Sequence, residues 1–206
     1  MDAIHAAAAR IVADLGGLTV ARPLVAISGI DGSGKSTIAD EVAAVLTAEG
    51  RRVALVRLDD WRTPARVRFI ADDPAPHFLD HAYRFDDLFT QLVDPLVRDG
   101  SLHLVVDSYP AGADEPVRRL VSHDQVDLVV VEGIFLLERG VRERFDRTYW
   151  IDCPAEVALG RALGRNQEGR PPDQLRHDYE TIYQPAQQLH LERAAPLANA
   201  DVVVRV

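Results

Sequence analysis

Apolar residues recur along this chain with different rhythms, and each rhythm predicts a different element. Ile4, Ala7, Ala8, Ile11, Val12 and Leu15 return at helical spacing before Gly16-Gly17, so residues 2–15 are expected as an amphipathic helix packed on the outside of the core. Leu24 to Ser28 is a continuous apolar run, as a strand buried on both faces of a parallel sheet should be, and Val126 to Val131 is a β-rich run. Val53 to Leu58, Thr148 to Asp152 and Asp201 to Val206 add three more strand-like runs. Thr37 to Ala48, Asp86 to Arg98, Ala155 to Arg165 and Asp173 to Arg193 read as helices, the second bent or ended near Pro95. Leu102 to Val106 and Val117 to Val121 are expected to pair as a hairpin across Ala111-Gly112. Residues 59–80 carry Pro64, Pro74 and Pro76 with little periodicity, which predicts an irregular segment serving as a substrate-binding arm. Strands alternating with helices imply an α/β fold, with a parallel sheet flanked by helices on both faces in a three-layer α/β/α arrangement.

Composition narrows the partners. With 206 residues and 47% hydrophobic content the chain suits one domain over 1–206. Within it, 1–22 form an N-terminal helical extension, 59–122 an acceptor-binding arm and hairpin, and 161–173 a lid. A net charge of -9 argues against a nucleic-acid partner and favours a small molecule. The single cysteine, Cys153, cannot form an internal disulfide, the N-terminal residues lack a signal-peptide core, and no apolar run reaches the roughly 20 residues that span a bilayer. A soluble, cytoplasmic protein without a membrane partner is expected; a homo-oligomer is compatible with the sequence but not signalled by it. His77, His81 and His123 lack metal-site spacing, so no zinc is expected.

One segment carries specific chemistry. Gly29-Ile30-Asp31-Gly32-Ser33-Gly34-Lys35-Ser36 matches the phosphate-loop pattern G-x-x-x-x-G-K-[ST] in full, between an expected strand and an expected helix. The glycines let successive backbone N–H groups face a β-phosphate. Lys35 adds charge near the β- and γ-phosphates, Ser36 can ligate Mg²⁺, and Thr37 can help through its hydroxyl. Asp31 and Ser33 complete the nucleotide-binding set, and the architecture becomes a P-loop NTPase-type sheet for ATP and Mg²⁺.

Acids at other strand ends supply the rest. Glu132 follows Val129-Val130-Val131 and can hold Mg²⁺ or its water; the plainer reading is a solvated charge. Asp59, after the second strand, can sit by the γ-phosphate, touch the metal and accept the proton of an attacking hydroxyl, or else only cap a turn; Asp60 beside it could line the acceptor site. Trp61 either walls that site or anchors the arm to the core. Arg161, Arg165 and Arg170 cluster around the Gly169-Pro171 break, where a lid would bring guanidinium groups over the transferring phosphoryl group; the alternative is a solvated helix face.

Ile27 to Thr37, Leu58-Asp59-Asp60-Trp61, Val131-Glu132-Gly133-Ile134-Phe135 and the tail from Tyr179 to Val204, taken together, resemble the uridine kinase and phosphoribulokinase family of P-loop kinases. The resemblance implies phosphoryl transfer from ATP to a small molecule, a nucleoside first, with nicotinamide riboside, pantothenate or a sugar phosphate as alternatives. It also implies Asp59 as catalytic base, an arginine lid, Asp80 and His81 against a ribose, and Tyr109 at the base-reading position of the hairpin. In uridine kinases that tyrosine is followed by an aspartate and then a histidine; here Pro110 follows, and no histidine arrives before Arg118. The competing class is a regulatory ATPase or switch without an acceptor. A guanine-reading Asn-Lys-x-Asp is absent, which disfavours GTP.

Overall fold

A computed structural model describes residues 3–69, 72–166 and 169–206. Residue 2 of the expected first helix, 70 and 71 of the arm and 167 and 168 of the lid therefore lie outside the described residues. Strands β1 (Leu24–Gly29), β2 (Val53–Arg57), β5 (Leu128–Gly133), β6 (Arg147–Asp152) and β7 (Val202–Arg205) form one sheet in the order β2-β5-β1-β6-β7, every neighbouring pair parallel. Strands β3 (Leu102–Ser108) and β4 (Val117–His123) pair with each other as the expected antiparallel hairpin.

β1, at the centre of the sheet, and its neighbour β5 are buried along their whole length, as the apolar runs that open both strands require. Alternate residues feed two cores. Ala26, Val129, Val131 and Val56 pack towards the helix over 85–99 and the one over 172–194, whereas Val25, Ile27, Leu128 and Val130 meet α1 (Ala3–Leu15) and α2 (Lys35–Ala48). Helix α1 is therefore part of a layer rather than an outer decoration: Ile11 is fully buried, and Asp14 accepts two hydrogen bonds from Arg147 at 2.8 and 2.7 Å and one from the Tyr149 hydroxyl at 2.6 Å.

Three expectations need correction. Residues 59–80 are not irregular: a 3-10 turn over Leu58–Trp61, α3 (Ala65–Arg68) and α4 (Pro74–His81) follow one another, with Pro64 and Pro74 at helix starts, where a missing N–H costs nothing. The helix over 85–99 neither ends nor breaks at Pro95, because a π-turn at Leu88–Val93 widens the backbone just where the proline ring would meet the preceding carbonyl. The same device, Tyr179–Tyr183, carries the helix over 172–194 past Pro185. Finally, β5 starts at Leu128, since Val126 and Asp127 bond instead to Gly100 and Arg52. No helix among the described residues is long and apolar enough to cross a membrane.

Candidate active site

The register of the sheet brings three carboxyl ends together, with Ile27 beside Glu132 and Glu132 beside Arg57. The segments leaving β1, β2 and β5 therefore open on one edge, where parallel sheets collect ligands. After β1 the chain turns through Gly32 and Gly34 with φ of +77° and +92°, a left-handed backbone that glycine adopts without strain. Helix α2 then begins at Lys35, two residues earlier than the apolar rhythm suggests, so Lys35 and Ser36 occupy its first turn and its free N–H groups face the loop. Gly32, Gly34, Lys35, Ser36 and Thr37 line a cleft of about 450 Å³ together with Arg161 and Arg165. A phosphate chain fits this donor set: main-chain amides, one ammonium, two guanidinium groups and two hydroxyls.

A second cleft, about 710 Å³ including its mouth, shares Lys35, Ser36 and Arg165 with the first and continues to Asp59, Glu132 and the turn at Ala111-Gly112. Glu132 is 4% exposed, accepts a hydrogen bond from the Ser36 hydroxyl at 3.1 Å, and takes another from Arg57 at 3.2 Å. Burial pushes its carboxyl above the ordinary glutamate range; Lys35 and Arg57 oppose the shift and Asp59 adds to it. A hydroxyl and a desolvated carboxylate in contact, with Asp59 on the same cleft, make a fitting donor set for Mg²⁺. Asp59 is held by the Tyr83 hydroxyl at 3.1 Å and by Arg62 at 2.6 Å. The Tyr83 phenol lies well above its usual range, through burial first and the Asp59 charge second, so it stays a donor.

Asp31, expected as a nucleotide ligand, lines the second cleft and is also tied into the protein's own hydrogen bonds. Its carboxylate accepts from Arg165 at 2.8 Å, from the Gly32 amide at 2.9 Å and from the Tyr179 hydroxyl, while its own N–H donates to Gln187 at 2.6 Å. Burial would raise this acid, but Lys35, Arg165 and Tyr179 outweigh it and hold it below the normal aspartate range. Asp31 thus fastens the loop to the helix that carries Arg165. Ser33 is buried against Gly29, inside the loop.

The remaining expected residues separate. Arg161 and Arg165 reach the phosphate cleft, but Arg170 pairs with Asp178 at 2.9 Å and lines neither cleft. Asp60 faces away, in an ion pair with Arg119 of the hairpin. Trp61 is 1% exposed in the core, so it anchors the arm. Asp80 and His81 sit on the outer side of α4, Asp80 paired with Arg193 at 3.0 Å and His81 against His77. Tyr109 packs against Arg84 rather than the cleft. Arg62, Arg68, Phe69, Tyr83, Tyr179 and Tyr183 line the acceptor side without having been singled out. The four-residue spacing of Tyr179 and Tyr183 on one helix was the available signal; Arg68 offered none, because only the fold of α3 turns it inward.

No family model matches the chain. Uridine kinase from Staphylococcus aureus is 26% identical over 188 residues, 89% of this chain and 87% of that protein. In fold, the chain is similar to a possible uridine kinase from Bacillus stearothermophilus, with a TM-score of 0.77, 22% identity, and 96% and 97% of the two chains covered. D-glycerate 3-kinase from Cryptococcus neoformans is more distant, at a TM-score of 0.62, 14% identity and coverage of 93% and 87%. These likenesses run over nearly the whole chain and agree: this is a P-loop kinase fold that resembles the uridine kinases, of the class that phosphorylates small molecules.

Proposed function

We propose that this small-molecule kinase moves the γ-phosphoryl group of ATP to a hydroxyl of its acceptor, with Asp59 as the base. The observation that carries the reading is the meeting of Lys35, Ser36, Glu132 and Asp59 on one cleft that adjoins the phosphate cradle. Cradle amides, Lys35, Arg161 and Arg165 hold and neutralise the polyphosphate; the walls of the second cleft hold the acceptor hydroxyl towards it. The bond from the γ-phosphorus to the bridging oxygen breaks, a bond to the acceptor oxygen forms, and the acceptor proton passes to Asp59, giving ADP and a phosphate monoester. Tyr83 and Arg62 fix the Asp59 carboxylate, so that the proton is received at a defined atom. Ser36 and Glu132, with Asp59 nearby, are the residues that would hold Mg²⁺, which when bound draws charge from the phosphate oxygens.

The likeness to uridine kinases supports a nucleoside as the reference acceptor, with nicotinamide riboside, pantothenate and sugar phosphates beside it. An ATP-consuming reaction also suits the cytoplasmic setting expected from the sequence. The test is ADP release from Mg-ATP with and without each acceptor, in wild-type protein and Asp59→Asn. The base role predicts a kcat lower by roughly 10²- to 10⁴-fold for Asp59→Asn with ATP affinity nearly intact. ADP release that no acceptor accelerates would instead mark a regulatory ATPase and overturn the kinase reading.

A further inference from the structure

The acceptor cleft holds a cation that nothing assigned so far uses. Arg68, on α3, is 4% exposed and lines this cleft, yet its Nε and Nη2 have no hydrogen-bond partner among the described residues. It makes no ion pair among them either, whereas Arg165 is paired with Asp31, Arg62 with Asp59, and Glu132 with Arg57. Phe69 lies beneath its guanidinium, 5.3 Å from ring centroid to Cζ, which fixes the group's plane without neutralising it. Burial, and after it the neighbouring Arg62 charge, disfavour the charged form of Arg68, with Tyr83, Tyr183 and Asp59 opposing more weakly, and a guanidinium does not give up its proton in a protein. A buried, charged guanidinium with two unsatisfied nitrogens is costly to any fold and is retained most readily where a ligand brings an anion.

We infer that the acceptor is a small alcohol bearing its own anionic group, a phosphate or a carboxylate, which Arg68 binds while the hydroxyl faces Asp59. This rests on the kinase reading above and names its substrate class. The phosphate cradle has its own cations, Lys35, Arg161 and Arg165, and Arg68 is not among the residues that line it, so the polyphosphate is neutralised without Arg68. Nor does a neutral nucleoside explain Arg68, since Asp80, His81 and Tyr109, the residues implied for sugar and base, all lie off this cleft. Phe69, Phe78 and Tyr183 line the same cleft, and apolar faces beside the guanidinium strengthen its attraction for an anion.

The experiment pairs turnover with ligand-induced thermal stabilisation, for wild type, Arg68→Met and Arg68→Lys. Its panel holds ribose 5-phosphate and fructose 1-phosphate as phosphate carriers, glycerate and pantothenate as carboxylate carriers, and uridine and nicotinamide riboside as neutral alcohols. The inference expects turnover in one anionic arm, the arm identifying the anion. It expects Arg68→Met to raise that acceptor's KM roughly 10- to 100-fold with the KM for ATP unchanged, and Arg68→Lys to recover part of the loss. Arg68→Met without ligand should melt no lower than wild type, because it deletes an unpaired buried charge; an arginine kept for structure would melt lower. Preferred turnover of a neutral nucleoside, insensitive to Arg68→Met, overturns the inference and leaves the kinase reading standing. A silent panel in which anionic alcohols still stabilise wild type but not Arg68→Met keeps the anion site and removes the kinase reading. No stabilisation by any anion overturns the inference.

Discussion

Replacing Gly32 by alanine tests the loop conformation on which every functional statement depends. At φ of +77° an L-residue pays for the left-handed backbone, about 1–2 kcal/mol. Steric overlap costs more: a Cβ at this position would lie 2.0 Å from the Ala158 carbonyl oxygen, 2.8 Å from its carbonyl carbon and 3.2 Å from its Cα. These are backbone atoms of the helix Ala155–Arg165, so no side chain can swing aside to relieve the contact. Restoring an ordinary carbon–oxygen separation needs a shift on the order of 1 Å between loop and helix, and misplacement on that scale costs about 100-fold in rate. Because the same helix carries Arg161 and Arg165, the shift spoils both walls of the phosphate cleft at once. Gly50→Ala is the internal control: its φ is +89°, but a Cβ there meets nothing within 4 Å. The control should lower the melting temperature by about 2–8 °C and leave nucleotide binding untouched. Calorimetric titration with Mg-ATP should then find binding by Gly32→Ala weakened, and its turnover should fall about 100-fold. Wild-type ATP affinity in Gly32→Ala would refute the loop geometry and the phosphate cradle with it.

Two further outcomes follow from the electrostatics. Glu132 titrates above its ordinary range when folded, so between its unfolded and folded values the native state binds more protons and loses stability as pH rises; Glu132→Gln should therefore melt higher than wild type near neutral pH while Mg-dependent turnover collapses, and a lower melting point would contradict the burial argument. Asp14 is held low, chiefly by its hydrogen bonds from Arg147 against the pull of burial, so its contribution is present above the unfolded value and lost as pH falls through the folded one. Asp14→Asn should cost about 2 kcal/mol at neutral pH, a drop of about 4–8 °C in melting temperature, and the deficit should vanish in acid; a deficit equal at both pH values would refute the ionic account.

Much of the architecture was legible in sequence because local rules decide it. Leu24 to Ile27 is apolar throughout, the composition of a strand covered on both sides, and Gly29 to Ser36 keeps the full phosphate-loop spacing between a strand and a helix. Glu132 and Asp59 were legible for the same reason, as carboxylates following strands that must end on one edge. What depends on long-range packing stayed hidden. Asp60 adjoins Asp59 in sequence, yet the 3-10 turn points one to the cleft and the other to Arg119. Arg170 completes a plausible lid on paper, but Asp178 takes it. Pro95 looks like a helix breaker, and only packing on both sides selects the π-turn that lets the helix run on. Arg68 shows the limit most clearly. Its charge is written in the sequence, but that the charge is buried, unpaired and turned into a cleft is a property of three helices meeting, which no local pattern encodes.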